Sequence, residues 1–287
     1  MPVDLHTLYP RLIHLMLDTV FVVDRDNQIV FVSDACEALL GYRACELVGT
    51  PITDYMHPDD LAMTRASIVR VMSGQPHYDF RNRYIRKDGG VVHILWAACW
   101  SDEANARIGV ARDVTAQHQA EAELRFLAHH DPLTRLANRA RFNERLEAAL
   151  AVARRHGRPL ALLFLDINDF KQINDNHGHG MGDRVLCALA RRLESCLGAA
   201  DTVARMGGDE FTVLLPDCAA PEAIAERVTQ ILATMAEPLG DGFAGIAPPS
   251  CSIGVACFPE HGSEADVLLR HADGHMYRVK RQRAAAG

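Results

Sequence analysis

The chain runs in two rhythms. From about Leu12 to Val114, short β-branched and aromatic runs (TVFVVD, QIVFVS, RNRYIR, VVHILWAACW and ARIGVARDVT) carry the period of two that marks half-buried strands, with one helical stretch, CEALLGY, among them. The turn-forming stretches Asp24 to Gln28 and Lys87 to Gly90 predict hairpins, so this part reads as an antiparallel sheet with helices on one side. From Thr115 to His130, AQHQAEAELRFLAHH is rich in helix formers and predicts a connecting helix. Its seam is imperfect: Val114, Gln117 or His118, Glu121, Leu124 or Arg125, and Leu127 or Ala128. Such a helix lies on its own domain or pairs with a second copy as a short parallel coiled coil, and spacing alone does not separate the two.

Beyond Asp131-Pro132-Leu133-Thr134 the pattern changes to helices alternating with continuous apolar runs. PLALLFLDI is a strand, Gly182 to about Cys196 a helix, and DTVARMGGDEFTVLLP a strand-turn-strand. Pro221 to Met235 is a helix, PSCSIGVACFP a strand, and Ala265 to Lys280 a last helix. That order fits a ferredoxin-like sheet with helices on one face, so the fold class is α+β. The predicted division is 1–113 for the first domain, 114–130 for the helical linker and 131–287 for the second domain.

Composition narrows this picture. A length of 287 residues suits two domains, and 48% hydrophobic with 23% charged residues lets each bury a core. No apolar run reaches membrane-spanning length and MPVDLHTLYP lacks the pattern of a secretory signal, which predicts a cytoplasmic location. The eight cysteines contain no C-x-x-C pair, so neither a zinc knuckle nor a disulfide framework is expected. A formal net charge of −7 argues against nucleic-acid or membrane-surface binding, so a polyphosphate ligand has to be held locally.

The first part resembles a PAS domain through the ordered elements Leu40-Gly41-Tyr42, Glu46-Leu47-Val48-Gly49, His57-Pro58-Asp59-Asp60, Arg86-Lys87-Asp88-Gly89 and Gly109-Val110-Ala111-Arg112-Asp113-Val114-Thr115. The resemblance implies a sensory or dimerising role. Its ligand is unknown, and an empty dimerising module is the default expectation. His77 and His93 are the conceivable haem ligands, although lone histidines in strand-rich segments are more often structural. Trp96 and Trp100 are expected in the core or a dimer interface.

Chemistry concentrates in the second part. Gly207-Gly208 between β-branched segments makes a tight turn, and Asp209 and Glu210 follow at once. Asp166 ends the apolar run LALLFLD, where a charge closing a buried strand sits at a sheet edge. If strand end and hairpin meet, Asp166, Asp209 and Glu210 with the Ile167 carbonyl form the oxygen-rich cluster Mg²⁺ prefers. After the strand, a helix entry with free N–H groups suits phosphate, and Lys171 adds a point charge. Asn174 and Asp183 offer the amide and carboxylate that the guanine edge requires. His177 and His179, in a Gly-rich loop, read as loop-shaping rather than metal-ligating.

With DPLTRLANR, FLDINDFKQINDNHGHGMGD, RMGGDEF, CSIGVACFP and ADGHMYRVK in order, the second part resembles a GGDEF diguanylate cyclase domain, a palm-type ferredoxin-like fold. The resemblance implies condensation of two GTP into cyclic di-GMP by a homodimer joined through the first domain and the linker. Two Mg²⁺, or alternatively Mn²⁺, would be bound by Asp166, the Ile167 carbonyl, Asp209 and Glu210. Guanine would be read by Asn174 and Asp183, the carboxylate favouring GTP over ATP, and phosphate held by Phe170, Lys171, Gly208 and Lys280. Asp209, Glu210 and Lys171 are the implied catalytic residues, with Asp209 the candidate to deprotonate the attacking hydroxyl. Three positions depart from the pattern. Gly198 replaces the arginine of the Arg-x-x-Asp inhibitory site that ends at Asp201, which predicts weak feedback. Ala284 replaces a phosphate-binding arginine that Arg283 could supply, and Arg135 stands where glycine is usual. The rivals are a GTP-binding scaffold without activity and a cyclase making another cyclic nucleotide.

Overall fold

The computed structural model describes residue 13 and residues 15–286 apart from 219 and 241, so the N-terminal MPVDLHTLYP lies outside the described residues. The chain divides into two compact units, Met1–Glu123 and Leu124–Gly287.

In the first unit, β1 (Thr19–Val23), β2 (Ile29–Val32), β3 (His77–Ile85), β4 (Val91–Ser101) and β5 (Ala106–Asp113) form one antiparallel sheet in the order β2-β1-β5-β4-β3. Both expected hairpins are present. Asp24 Oδ1 closes the first by accepting from the amides of Asp26 and Gln28 at 2.9 and 2.8 Å. Helices α1 (Cys36–Leu40), α2 (Ala44–Leu47) and α3 (Leu61–Met72) follow β2. Leu39, Leu40 and Leu47 pack with Phe21, Ile94 and Trp96 into one core. The sequence pattern missed α3 because it buries only Thr64 and Val71, too few positions to write a period.

Helix α4 (Thr115–His129) buries none of its residues, and Leu124 and Leu127 are exposed on it.

In the second unit, β6 (Leu160–Ile167), β7 (Thr202–Gly207), β8 (Glu210–Pro216) and β9 (Cys251–Phe258) pair antiparallel in the ferredoxin-like order β7-β8-β6-β9. Among the described residues five helices surround it: α5 (Arg139–His156), α6 (Phe170–His177), α7 (His179–Ser195), α8 (Pro221–Met235) and α9 (Ala265–Ala286). They cover both faces, which corrects the one-face expectation. Leu163, Leu165 and Ile167 face Val185 and Leu189 of α7, whereas Leu162 and Phe164 face Leu146 of α5 and Leu268 of α9. All eight residues of β6 are buried. A continuous apolar run is the mark of a strand covered on two sides. Two ends also differ from expectation: α7 starts before Gly182, and α9 runs past Lys280. On β9, Gly254 lets α9 approach closely, since a Cβ there would stand 2.0 Å from the Ala272 carbonyl oxygen and 2.2 Å from the Met276 nitrogen.

Candidate active site

The end of β6 and the β7–β8 hairpin meet. Asp166 stands opposite Glu210 in the antiparallel register, and the Ile167 amide donates to the Asp209 carbonyl at 3.2 Å. Directly opposed residues send their side chains to the same side of a sheet, so these two carboxylates emerge together. Asp209 sits at the hairpin tip beside them. The turn is tight because Gly207 and Gly208 take φ of 144° and 52°, values other residues rarely adopt.

On the same side, α9 supplies Lys280, whose Nζ lies 2.5 Å from Asp166 Oδ1. Two helical turns earlier, on the same face of α9, stands Asp273. Burial pushes the Asp166 carboxyl up. The Lys280 hydrogen bond pulls it back, but the charges of Asp209 and Asp273 leave it above the ordinary aspartate value. Glu210 is also raised, first by burial and then by Asp273, Asp166 and Asp209, with a smaller opposing pull from Arg139. Carboxylates held against their own repulsion are what a hard divalent cation relieves. The oxygen-only donor set fits such an ion, although among the described residues no three acidic, His or Cys side chains gather closely enough as they stand to hold one. Asp273 was legible only as part of ADGHMYRVK, and no spacing tied it to the hairpin.

The hairpin is held from below. Arg205 donates from two nitrogens to the Gly208 carbonyl at 2.7 and 2.9 Å, and the same guanidinium pairs with Asp131 at 3.1 Å. Burial pushes the Asp131 carboxyl up, but bonds from Thr134 and Arg205 outweigh it and leave it below the ordinary value. Thus the Asp-Pro-Leu-Thr segment, expected only as a family marker, braces the turn that carries the acids.

A second feature lies across α6 and α7. Asn174 Oδ1 is buried with no hydrogen-bond partner and points at Gly182, where a Cβ would come within 1.9 Å of it. Phe170 is buried against the same glycine, its Cζ 3.1 Å from that Cβ position, and Asp183 is exposed on the next residue. Lys171 lies exposed on the first turn of α6, which has no side-chain cap, so no side chain covers its first amides. A cleft with room for about 320 Å³, partly open to solvent, lies beside Asn168, Asp169, Ile173 and Arg283. Arg283 is committed to Ser250 Oγ, and Gly208 is exposed at the hairpin. His177 and His179 are exposed on either side of Gly178.

Two departures from the family pattern gain a structural reading. Asp201 Oδ2 accepts from the Gly198 amide at 2.9 Å and closes its own turn, with Arg227 4.0 Å away. Arg135 takes φ of 67°, which explains the usual glycine, and its guanidinium stacks 3.9 Å over the Phe126 ring.

In the first unit, His77 Nδ1 meets Ser67 Oγ at 2.8 Å and Nε2 lies 3.5 Å from Asp79, while His93 stacks on His118. Trp96 is in the core, whereas Trp100 is half-buried under Arg25. All eight cysteines are free. Among the described residues no helix is long and apolar enough to cross a membrane.

Residues 128–285 match the family model described as "Diguanylate cyclase, GGDEF domain", and residues 29–110 match that of the PAS fold. The diguanylate cyclase TpbB of Pseudomonas aeruginosa is 42% identical over 182 residues, 63% of this chain and 42% of TpbB. The diguanylate cyclase DgcM of Escherichia coli K12 is 38% identical over 177 residues, 60% of this chain and 40% of DgcM. The chain therefore spans about two fifths of the length of these curated relatives. The solved GGDEF domain of TpbB superposes with a TM-score of 0.52 at 44% identity, covering 54% of this chain and 90% of that one.

Proposed function

From the premise that the chain belongs to the diguanylate cyclase GGDEF-domain family, we propose that it condenses two GTP into cyclic di-GMP under the control of its PAS-fold unit. The observation that carries the reading is the set of four carboxylates, Asp166, Asp209, Glu210 and Asp273, two of them raised by burial and by one another beside the single ammonium of Lys280.

In the proposed reaction the 3′-hydroxyl of one GTP attacks the α-phosphorus of the other in line, and pyrophosphate leaves. The same exchange with the roles reversed closes the ring. Asp166, the Ile167 carbonyl, Asp209 and Glu210 would hold Mg²⁺, two ions per site, with Mn²⁺ as an alternative. When bound, the metal supplies charge neutralisation at the transferring phosphoryl group and a lowered pKa for the hydroxyl. Asp209, at the open hairpin tip, is positioned to take the hydroxyl proton, with Glu210 and Lys171 as further catalytic groups. Lys280 orients Asp166 and turns to phosphate when the acids are neutralised. The free amides at the start of α6, with Phe170, Lys171 and Gly208, line the phosphate path. Asn174 and Asp183 read guanine, a role that the unpartnered Asn174 oxygen supports because a base N–H would satisfy it.

A single unit holds one GTP, so the ring requires two units facing each other across a twofold axis. The exposed α4, with Leu124 and Leu127 on its surface, supports a homodimer paired through that helix and the PAS fold. The functional division proposed is 1–113 for sensing, 114–130 for the linker and 131–287 for catalysis, acting where GTP is found, in the cytoplasm. Incubation of the pure protein with Mg²⁺ and GTP should yield cyclic di-GMP by chromatography, and Asp209→Ala should yield none. GTP bound but unchanged would leave a scaffold, and another cyclic nucleotide in the same chromatogram would reassign the product.

A further inference from the structure

The last turn of α4 is tied to the segment that follows it. The Asn138 side-chain amide donates to the Leu127 carbonyl at 3.0 Å, and the Asn138 backbone amide donates to the His129 carbonyl at the same distance. These bonds hold the end of the helix through its main chain. A side-chain stack is added to them. The Phe126 ring lies parallel to the His130 imidazole, with 4.6 Å between centroids and 7° between planes, and the Arg135 guanidinium stands 3.9 Å over the same Phe126 ring. His130 Nδ1 donates to the Arg135 carbonyl at 3.0 Å, so the three residues close on one another.

Arg135 keeps this place against its own backbone. Its φ of 67° lies in the left-handed region, which glycine enters freely and arginine does not. A disfavoured backbone persists where its surroundings over-determine it, and the contact that arginine makes here and glycine would lack is the cation over Phe126. From Arg135 the contacts run on to the acids. Its backbone amide donates to the Asp131 carbonyl at 2.9 Å, the Asp131 carboxylate pairs with Arg205 at 3.1 Å, and Arg205 grips the Gly208 carbonyl one residue before Asp209. The loop 131–136, closed by the Asp131 amide on the Leu136 carbonyl at 2.8 Å, therefore touches both the end of α4 and the brace of the hairpin.

We propose that Arg135 is a positioning residue for the cyclase reaction: its guanidinium, acting through Phe126, fixes the direction in which α4 leaves the second unit. The role rests on the cyclase reading, in which two copies have to face each other and α4 helps to pair them. A loosened last turn lets the copies meet in unproductive orientations, which slows ring formation while each GTP site stays intact. With glycine at this position the direction of the helix would be left to its main-chain bonds alone. The arginine in place of the usual glycine is thus a feature of the linker's setting rather than of the nucleotide site.

The test uses the full chain. Arg135→Gly keeps the backbone conformation and deletes the cation, Phe126→Leu keeps the cation and deletes the ring, and Phe126→Tyr keeps both. Hydrogen exchange read by mass spectrometry, without GTP, follows amide protection over residues 124–130. The two deleting variants should exchange there about 2- to 5-fold faster, the factor that a cation over an exposed ring carries. The double variant should be no faster than the faster single one, and Phe126→Tyr should match wild type. Amides elsewhere in the second unit should be unchanged and Tm should stay within ~2–4 °C, so a fall in activity is not a loss of folded protein. Pyrophosphate release by Arg135→Gly should then show kcat lower on the order of tenfold with KM for GTP unaltered. Unchanged protection in Arg135→Gly, additive effects in the double variant, or faster exchange with wild-type kcat each overturns the proposal. If wild-type protein makes no cyclic di-GMP, the cyclase reading falls and the catalytic role of Arg135 with it, while exchange still decides whether Arg135 holds α4.

Discussion

The same glycine-to-alanine change should do opposite things at two places in the second unit. Gly182 lies inside α7, where alanine is favoured over glycine by about 1 kcal/mol. Its new methyl would stand 1.9 Å from Asn174 Oδ1, well inside an ordinary contact, so the amide has to withdraw by more than ~1 Å. The obstructing atom is the far end of a side chain, and the three nearest atoms all belong to side chains rather than to main chain. Stability should therefore stay within about 1 kcal/mol of wild type, or ~2–4 °C in Tm for a unit of this size. The amide proposed to read the base is displaced, however, and loss of such contacts is worth about 1–3 kcal/mol, or roughly 5- to 150-fold in the KM for GTP. At Gly254 the methyl meets main chain, 2.0 Å from the Ala272 oxygen and 2.2 Å from the Met276 nitrogen. Neither can move without shifting α9 and with it Asp273 and Lys280. Overpacking of this kind costs about 3 kcal/mol, so Tm should fall by ~6–12 °C and activity with it. Thermal unfolding and pyrophosphate release, measured side by side on both variants, decide the matter. A folded Gly182→Ala with unchanged KM, or a Gly254→Ala that melts like wild type, would refute the reasoning.

Three further outcomes follow from the same geometry. Arg205→Lys keeps a charge beside Asp131 but loses the two-nitrogen grip on the Gly208 carbonyl, so kcat should fall on the order of tenfold with KM little changed; equal kcat would show that the brace is dispensable. In the first unit the Arg83 guanidinium holds Asp60 below its ordinary value. Its stabilisation is complete above the unfolded aspartate pKa of about 3.9 and is lost as pH falls through the lower folded value, so Asp60→Asn should flatten the acid side of a stability-versus-pH profile. An unaltered profile would assign the acid sensitivity elsewhere. Because Asp201 closes its own turn and Gly198 carries no side chain, Asp201→Ala should leave inhibition by added cyclic di-GMP unchanged; calorimetry showing tight binding that this variant abolishes would overturn that expectation.

Much of the second unit is legible in the chain because its signals are local. The Gly-Gly turn, the apolar run of β6 ending in Asp166 and the boundaries of α8 each depend on neighbours a few residues away. The continuous hydrophobicity of β6 even carried the two-sided burial that the one-face expectation overlooked. Other features required chain segments far apart to meet. Asp273 enters the acid cluster, and Lys280 neutralises Asp166, only because Gly254 admits α9 against the sheet. Arg205 reaches Asp131 across 74 positions. Arg107 becomes an interior cation, only 7% exposed, once β5 pairs with its neighbours and turns that residue inward. Propensity and period record what a residue does within its own element. Which charges share a buried space is decided by packing between elements, and no spacing along the chain encodes it.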